Sequence, residues 1–145
     1  MAPRPAGLGL PVPESAPVMG DGLPVRARGI RGATTVERNT REAILDATRE
    51  LLQHMIQAND IQSADVACAW FTTTPDLNAD FPAIAARQLG WTQVALMDAH
   101  HMNVPGALPM CLRVMLLVNT TRRQEEIVHV YLRGARILRP DLAKS

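Results

Sequence analysis

Apolar residues recur at two different periods along the chain, and these periods divide it into strands and helices. Val25 to Ala33 has small or apolar residues at nearly every second position, which predicts a first strand. Asn39 and Glu42 then form a capping-box pair that predicts the start of a long helix. Its apolar stripe runs at helical spacing to about Asn59 and consists of Ile44, Thr48, Leu51, Leu52, Met55 and Ile56.

The rest of the chain continues the alternation of strands with shorter helices. Further strands are predicted at 65–71, 92–97, 112–118, 128–132 and 135–138, with a second helix from Pro82 to Gly90 and a short helix at 121–126. The run LRVMLLV at 112–118 is apolar on both faces, which indicates a strand covered on both sides. This order predicts a layered α/β or α+β domain, and a neighbouring subunit is one way to cover that strand.

Residues 1–24 differ from the rest, because ten of them are proline or glycine and no apolar period appears. Such a segment buries too little apolar surface to offset the entropy lost on ordering. We therefore expect a disordered tail over residues 1–24 and one folded domain over residues 25–145. Prolines interrupt every stretch that could act as a secretory signal.

Composition excludes several classes of protein. The chain has 145 residues, a net charge of +1 and only 3% aromatic residues, which argues against a nucleic-acid-binding protein. No apolar run is long enough to cross a membrane, so no membrane partner is expected. Cys68 and Cys111 are too few for a disulfide framework, and we expect a cytoplasmic protein.

The familiar catalytic and cofactor-binding motifs are missing. The sequence contains no G-x-S-x-G, P-loop, C-x-x-C or H-E-x-x-H, and Gly29 with Gly32 lacks the spacing of a dinucleotide fingerprint. His100 and His101, with Asp98 nearby, are a weak hint of a metal site. Adjacent residues on a strand point to opposite faces and no further ligand cluster accompanies them, so we expect no metal.

Three arginines, Arg31, Arg113 and Arg139, stand inside apolar runs, where a buried charge needs a partner. Each pairs either with an aspartate or glutamate of the same chain or, together with the others, with an anionic ligand. Tyr131 is the only tyrosine. It is either an ordinary half-buried strand aromatic or a hydroxyl donor to the same ligand.

Five segments in a fixed order carry a family resemblance. They are RGIRGATTVE (28–37), TTTPDLNADFPAIAAR (72–87), CLRVMLLVNT (111–120), HVYL (129–132) and LRPDL (138–142). Over residues 25–142 the chain resembles the small trimeric α/β class of monofunctional chorismate mutase. The resemblance implies an α+β fold with a mixed sheet and two main helices, built as a pseudo-α/β barrel in a homotrimer, with active sites between subunits.

The resemblance also implies a reaction. This family converts chorismate to prephenate, on the route to phenylalanine and tyrosine, by an intramolecular Claisen rearrangement of a dianion. The reaction needs no nucleophile, metal or organic cofactor, so none is expected. It needs a compact substrate conformer and stabilisation of the charge that develops on the ether oxygen. The implied partners are chorismate, prephenate and further copies of this chain.

Roles for particular residues follow from matching the segments. Arg113 matches the arginine that contacts the ether oxygen and a carboxylate, and Arg31 and Tyr131 match the groups that bind the side-chain carboxylate. Phe81, Ala83 and Arg87 match positions that the neighbouring subunit contributes to the site. Leu138 and Arg139 match the C-terminal segment that closes over the pocket.

The sequence departs from the family at two places. Ile84 stands where some members carry a lysine, and His101 stands at the position of a carboxylate, usually glutamate, that faces positive charge on the ring. Asp98 stands at the cysteine position three residues before it. We expect an exchange of roles, in which Asp98, kept ionised by nearby arginines, supplies the charge while His101 bonds the ring hydroxyl or orients Asp98. The alternative is that His101 is a bystander.

Two other classes of function remain open at this point. One is a trimer without catalysis that binds a metabolite or a partner through the same clefts. The other is an imine-deaminase-like protein, since that family resembles this one in fold and trimeric state. The retained Arg31, Arg113 and Tyr131 favour the isomerase.

Overall fold

The computed structural model describes residues 22–141, which form a five-stranded mixed sheet with two helices packed on one face. The strands are β1 (Arg26–Thr35), β2 (Val66–Thr73), β3 (Ala95–His100), β4 (Cys111–Thr120) and β5 (Val130–Tyr131), and the helices are α1 (Arg41–Asn59) and α2 (Ala83–Gln88). Short 3₁₀ helices span Ser63–Asp65, Gln124–Glu126 and Arg133–Leu138. The predicted α+β fold with a mixed sheet and two main helices is confirmed.

The strand order is β3-β2-β4-β1-β5. Strand β4 pairs antiparallel with both β1 and β2, whereas β3 is parallel to β2 and β5 is parallel to β1. Most of the tail expected over residues 1–24 lies outside the described residues. Within residues 22–141, no helix is long and apolar enough to cross a membrane.

One face of the sheet carries the core and the other face is open. Along β4, Leu112, Val114, Leu116 and Val118 are buried against the helices, whereas Arg113 and Met115 on the other face are exposed. On β1, Gly32 has no room for a side chain because Met55 and Leu51 of α1 press against it. Within residues 22–141, β4 is therefore covered on one face only, not on both as its composition indicates.

The long helix follows its predicted apolar stripe but begins with a different cap. The Thr40 hydroxyl accepts the Ala43 N–H at 3.1 Å and caps α1. Asn39 instead accepts the backbone N–H groups of residues 78 and 79, both at 2.9 Å, and ties the helix start to the loop before α2. The predicted capping box of Asn39 with Glu42 is wrong, because this tertiary contact takes the Asn39 side chain.

The strand predicted at 135–138 is also wrong. Arg133 adopts a left-handed backbone with φ 52°, which turns the chain out of β5 and into a 3₁₀ helix. Two contacts hold this turn. The Arg133 guanidinium donates to both Glu50 oxygens, at 2.9 and 3.1 Å, and the Gly134 N–H donates to the Thr35 hydroxyl at 3.1 Å. The C-terminal segment therefore folds back over the sheet.

Candidate active site

The open face of the sheet holds a cavity of about 520 Å³, a size that suits a small metabolite. Six of the predicted site residues line it, and we call them the cavity group. They are Arg31, His101, Arg113, Tyr131, Leu138 and Arg139. They come from β1, β4, β5, the residue after β3 and the C-terminal segment, so the fold collects them from most of the chain.

Strand register explains why these residues meet. Arg113 lies opposite Ala33 on one neighbouring strand and opposite Thr72 on the other, and Ala33 in turn lies opposite Tyr131. Residues opposite one another on paired strands share a face. Arg31 precedes Ala33 by two positions and points the same way, because side chains alternate along a strand.

The charges in the cavity are unbalanced. No aspartate or glutamate lines it, and within residues 22–141 neither Arg31 nor Arg113 forms a salt bridge. Arg139, in contrast, donates to both oxygens of Asp141, at 3.2 and 3.0 Å, which raises the pKa of Arg139. An internal partner therefore exists for Arg139, whereas the positive charges of Arg31 and Arg113 have no carboxylate partner within residues 22–141.

The His101 ring lines the cavity, and its surroundings favour the neutral form by lowering its pKa. Its Nδ1 lies 3.0 Å from the Thr72 hydroxyl, so Nε2 is the ring nitrogen that remains to form a hydrogen bond with a ligand. Burial lowers the pKa of His101, and the positive charges of Arg113 and His100 lower it further. His100 points to the other face and bonds Thr73 at 3.0 Å, as alternation along a strand predicts.

Asp98 does not line this cavity. Its carboxylate accepts the backbone N–H of Ala83 at 3.0 Å, at the start of α2. The extended chain continues through His101, so residues three apart point to opposite faces. Burial raises the pKa of Asp98, while the bond from Ala83 and the charge of Arg87 oppose that rise. Within the subunit, no contact supports the expected exchange of roles between Asp98 and His101.

The remaining predicted residues lie with Asp98, and we call these four the edge group: Phe81, Ala83, Arg87 and Asp98. Ala83 is buried, whereas Phe81 and Arg87 are exposed. Phe81 and Asp98 line a separate pocket of about 320 Å³. The predicted site residues thus divide into two groups that the single subunit does not bring together.

Trp70 and Thr72 of β2 are among the lining residues that were not predicted as site residues. The signal for them is alternation in the run DVACAWF, which puts Trp70 on the face opposite to Phe71. Phe71 is fully buried in the core and Trp70 is 39% exposed. The run was predicted as a strand, but alternation alone does not say which face holds the site.

These features define an α+β subunit whose open sheet face carries a small-molecule-sized cavity lined by Arg31 and Arg113, which form no salt bridge within residues 22–141. The chain belongs to the chorismate mutase type I family, whose model matches residues 27–142. It is 55% identical over 119 residues to Chorismate mutase AroH of Thermus thermophilus, covering 81% of this chain and 98% of that relative. It is 49% identical over 117 residues to Chorismate mutase AroH of Bacillus subtilis strain 168, covering 80% and 92%.

A solved structure agrees with the sequence relatives. A chorismate mutase from Clostridium thermocellum matches with a TM-score of 0.74 at 49% sequence identity, over 75% of this chain and 97% of that chain. The family membership expected from the five sequence segments is therefore confirmed.

Proposed function

We propose that this protein catalyses the intramolecular rearrangement of chorismate to prephenate. The observation that carries the proposal is the cavity with Arg31, Arg113 and Tyr131, which no carboxylate among the described residues lines. A substrate with two carboxylates supplies the negative charge that the described residues do not supply. The names of the relatives point to the same reaction.

The proposed mechanism is electrostatic and conformational. Arg31 and Tyr131 hold the side-chain carboxylate, and Arg113 contacts a carboxylate and the ether oxygen as that oxygen becomes more negative. Donors fixed in advance on paired strands reorganise little during the reaction, which is the condition for strong transition-state stabilisation. Leu138 and Arg139 close the C-terminal side of the cavity. No covalent intermediate with the protein is required.

We further propose that the active form is a homotrimer. Trp70 lies opposite both Met97 and Met115 in the sheet, and these side chains are 39%, 60% and 37% exposed. A row of large apolar side chains on an open sheet face is typical of a surface that binds another protein. Further copies of the chain would cover it, and a neighbour's edge group would complete each cavity.

The place of the reaction in the cell follows from the same proposal. Prephenate formation belongs to phenylalanine and tyrosine synthesis, and we place this protein in the cytoplasm. Cys68 and Cys111 are both free thiols, which suits a reducing compartment.

Purified protein mixed with chorismate tests the function directly. We expect loss of the ultraviolet absorbance of chorismate together with formation of prephenate. Binding of chorismate without turnover would indicate a trimer without catalysis. Hydrolysis of an imine substrate in place of chorismate turnover would indicate the deaminase-like class.

The roles of Asp98 and His101 give a separate prediction. We propose that His101 binds the ring hydroxyl from the cavity and that Asp98 holds the start of α2. His101→Leu removes that hydrogen bond and should lower kcat/KM about tenfold. Asp98→Asn keeps an oxygen that accepts the Ala83 N–H and should change kcat/KM less than threefold by the same reasoning.

Steady-state kinetics on the two variants decides between these roles. His101→Gln is the matched control, because its amide can bond near the position of Nε2 and should retain most of the activity. If Asp98→Asn proves worse than His101→Leu, the carboxylate charge itself acts on the substrate, and the exchange of roles expected from the sequence is right.

A further inference from the structure

His129 makes a contact that none of the roles above uses. Its ring Nδ1 accepts the backbone N–H of Arg31 at 3.0 Å. His129 comes directly before β5, whose two residues pair with β1 only through Gly32 opposite Val130 and Ala33 opposite Tyr131. The imidazole therefore accepts an N–H group that a backbone carbonyl would accept in a longer parallel ladder.

This contact connects the two residues that bind one end of the substrate. The backbone N–H of Arg31 donates to the His129 ring, and Tyr131 follows His129 by two residues, at the end of β5. His129 itself does not line the cavity. Any effect it has on the substrate must therefore pass through the position of Arg31 relative to Tyr131.

We propose that His129 is a positioning residue, which holds Arg31 and Tyr131 in register for the side-chain carboxylate of the substrate. The proposal rests on the function proposed above, in which these two residues bind that carboxylate. Binding of this carboxylate is the same before and during the rearrangement. Loss of the contact should therefore raise KM and leave kcat nearly unchanged.

The contact also requires one protonation state. Nδ1 accepts a hydrogen bond only when it carries no proton, so the ring is neutral with its proton on Nε2. Burial lowers the pKa of His129, and two cations lower it further: Arg31 on β1 and Arg139 on the C-terminal segment. The folded protein thus favours the neutral ring, and the contact is lost as the pH falls through this lowered pKa.

Two substitutions separate the hydrogen bond from the shape of the ring. His129→Asn places an amide oxygen near the position of Nδ1 and does not titrate, whereas His129→Leu keeps a similar volume without an acceptor. We expect KM for chorismate to rise about tenfold in the leucine variant and less than threefold in the asparagine variant, with kcat within about threefold in both. His54→Asn, on an exposed part of α1, is the matched control.

The pH dependence gives a second measurement that needs only the asparagine variant. In the unchanged protein, KM should rise as the pH falls below about 6.5, the ordinary pKa of histidine, because His129 takes up its proton at a lowered pKa. Part of this rise should disappear in His129→Asn and remain in His54→Asn. The comparison holds even if His129→Leu fails to fold.

Nitrogen-15 NMR spectra of the histidine rings detect the contact without any turnover. The His129 signals, identified by their loss in His129→Asn, should show an unprotonated Nδ1 and a protonated Nε2 at neutral pH. A protonated Nδ1 would overturn the proposal. A folded His129→Leu variant with an unchanged KM would also overturn it. If that variant does not fold, the proposal is overturned when KM rises at acid pH in His129→Asn by as much as in the unchanged protein.

Failure of this proposal differs from failure of the proposed function. If the unchanged protein does not convert chorismate, the function is wrong. In that case the dissociation constant for prephenate is measured by calorimetry and compared between the asparagine and leucine variants. If the protein is active and the His129 variants behave like the control, only the positioning role is wrong.

Discussion

Replacing Arg113 with alanine should lower kcat by at least about 10²- to 10³-fold, the typical loss for one positioned oxyanion donor. The guanidinium is most useful when the ether oxygen becomes more negative, so the loss should fall on kcat more than on KM. Arg113 is exposed in the subunit and forms no salt bridge within residues 22–141, so its removal should leave the fold intact.

Two further variants make this prediction sharp. Arg113→Lys should also be strongly impaired, because a lysine point charge does not reproduce the planar fork of arginine. Arg123→Ala is the control, since Arg123 is an exposed arginine whose salt bridges run to Glu125 and Glu126. Steady-state kinetics and circular dichroism on all three variants provide the measurement. An Arg113→Ala protein that keeps kcat within a few-fold of the parent contradicts the assigned role.

Mixed trimers should regain activity that neither parent variant has. Arg87 belongs to the edge group and Arg113 to the cavity group, so in the proposed trimer they meet only across a subunit boundary. Arg87→Ala should lower kcat/KM about 10- to 100-fold, the range for a hydrogen bond to a charged group. When Arg87→Ala and Arg113→Ala subunits are unfolded together and refolded, random assembly should leave about a quarter of the sites with both arginines.

The control mixture tests the division into two groups. Arg31 and Arg113 lie in the same cavity, so mixing Arg31→Ala with Arg113→Ala subunits should restore no activity, because every site lacks one of the two. Mass spectrometry under native conditions verifies that mixed trimers form. If they form and the mixture of Arg87→Ala with Arg113→Ala stays as inactive as its parents, these two arginines do not act together across a subunit boundary.

The position of Asp98 relative to His101 could not be predicted from the sequence, because it depends on where β3 begins and ends. The predicted third strand covered residues 92–97, whereas β3 is Ala95–His100 and the extended chain continues through His101. Asp98 and His101 both lay outside the predicted strand, so the pattern did not require them to share one extended segment. The separation of Asp98 from His101 became visible only when pairing with β2 set the limits of β3. Strand limits depend on the partner strand, and the partner is distant in sequence.

By itself, the sequence determined the parts of this protein that depend on local pattern. The apolar stripe of α1, the existence of the main strands, the α+β class and the family segments were all read from spacing and order. The tertiary structure alone decided which charges have partners. Whether Arg31 and Arg113 pair within the chain or face a ligand depends on which side chains the sheet brings within a few ångströms, and neither the period nor the composition contains that information.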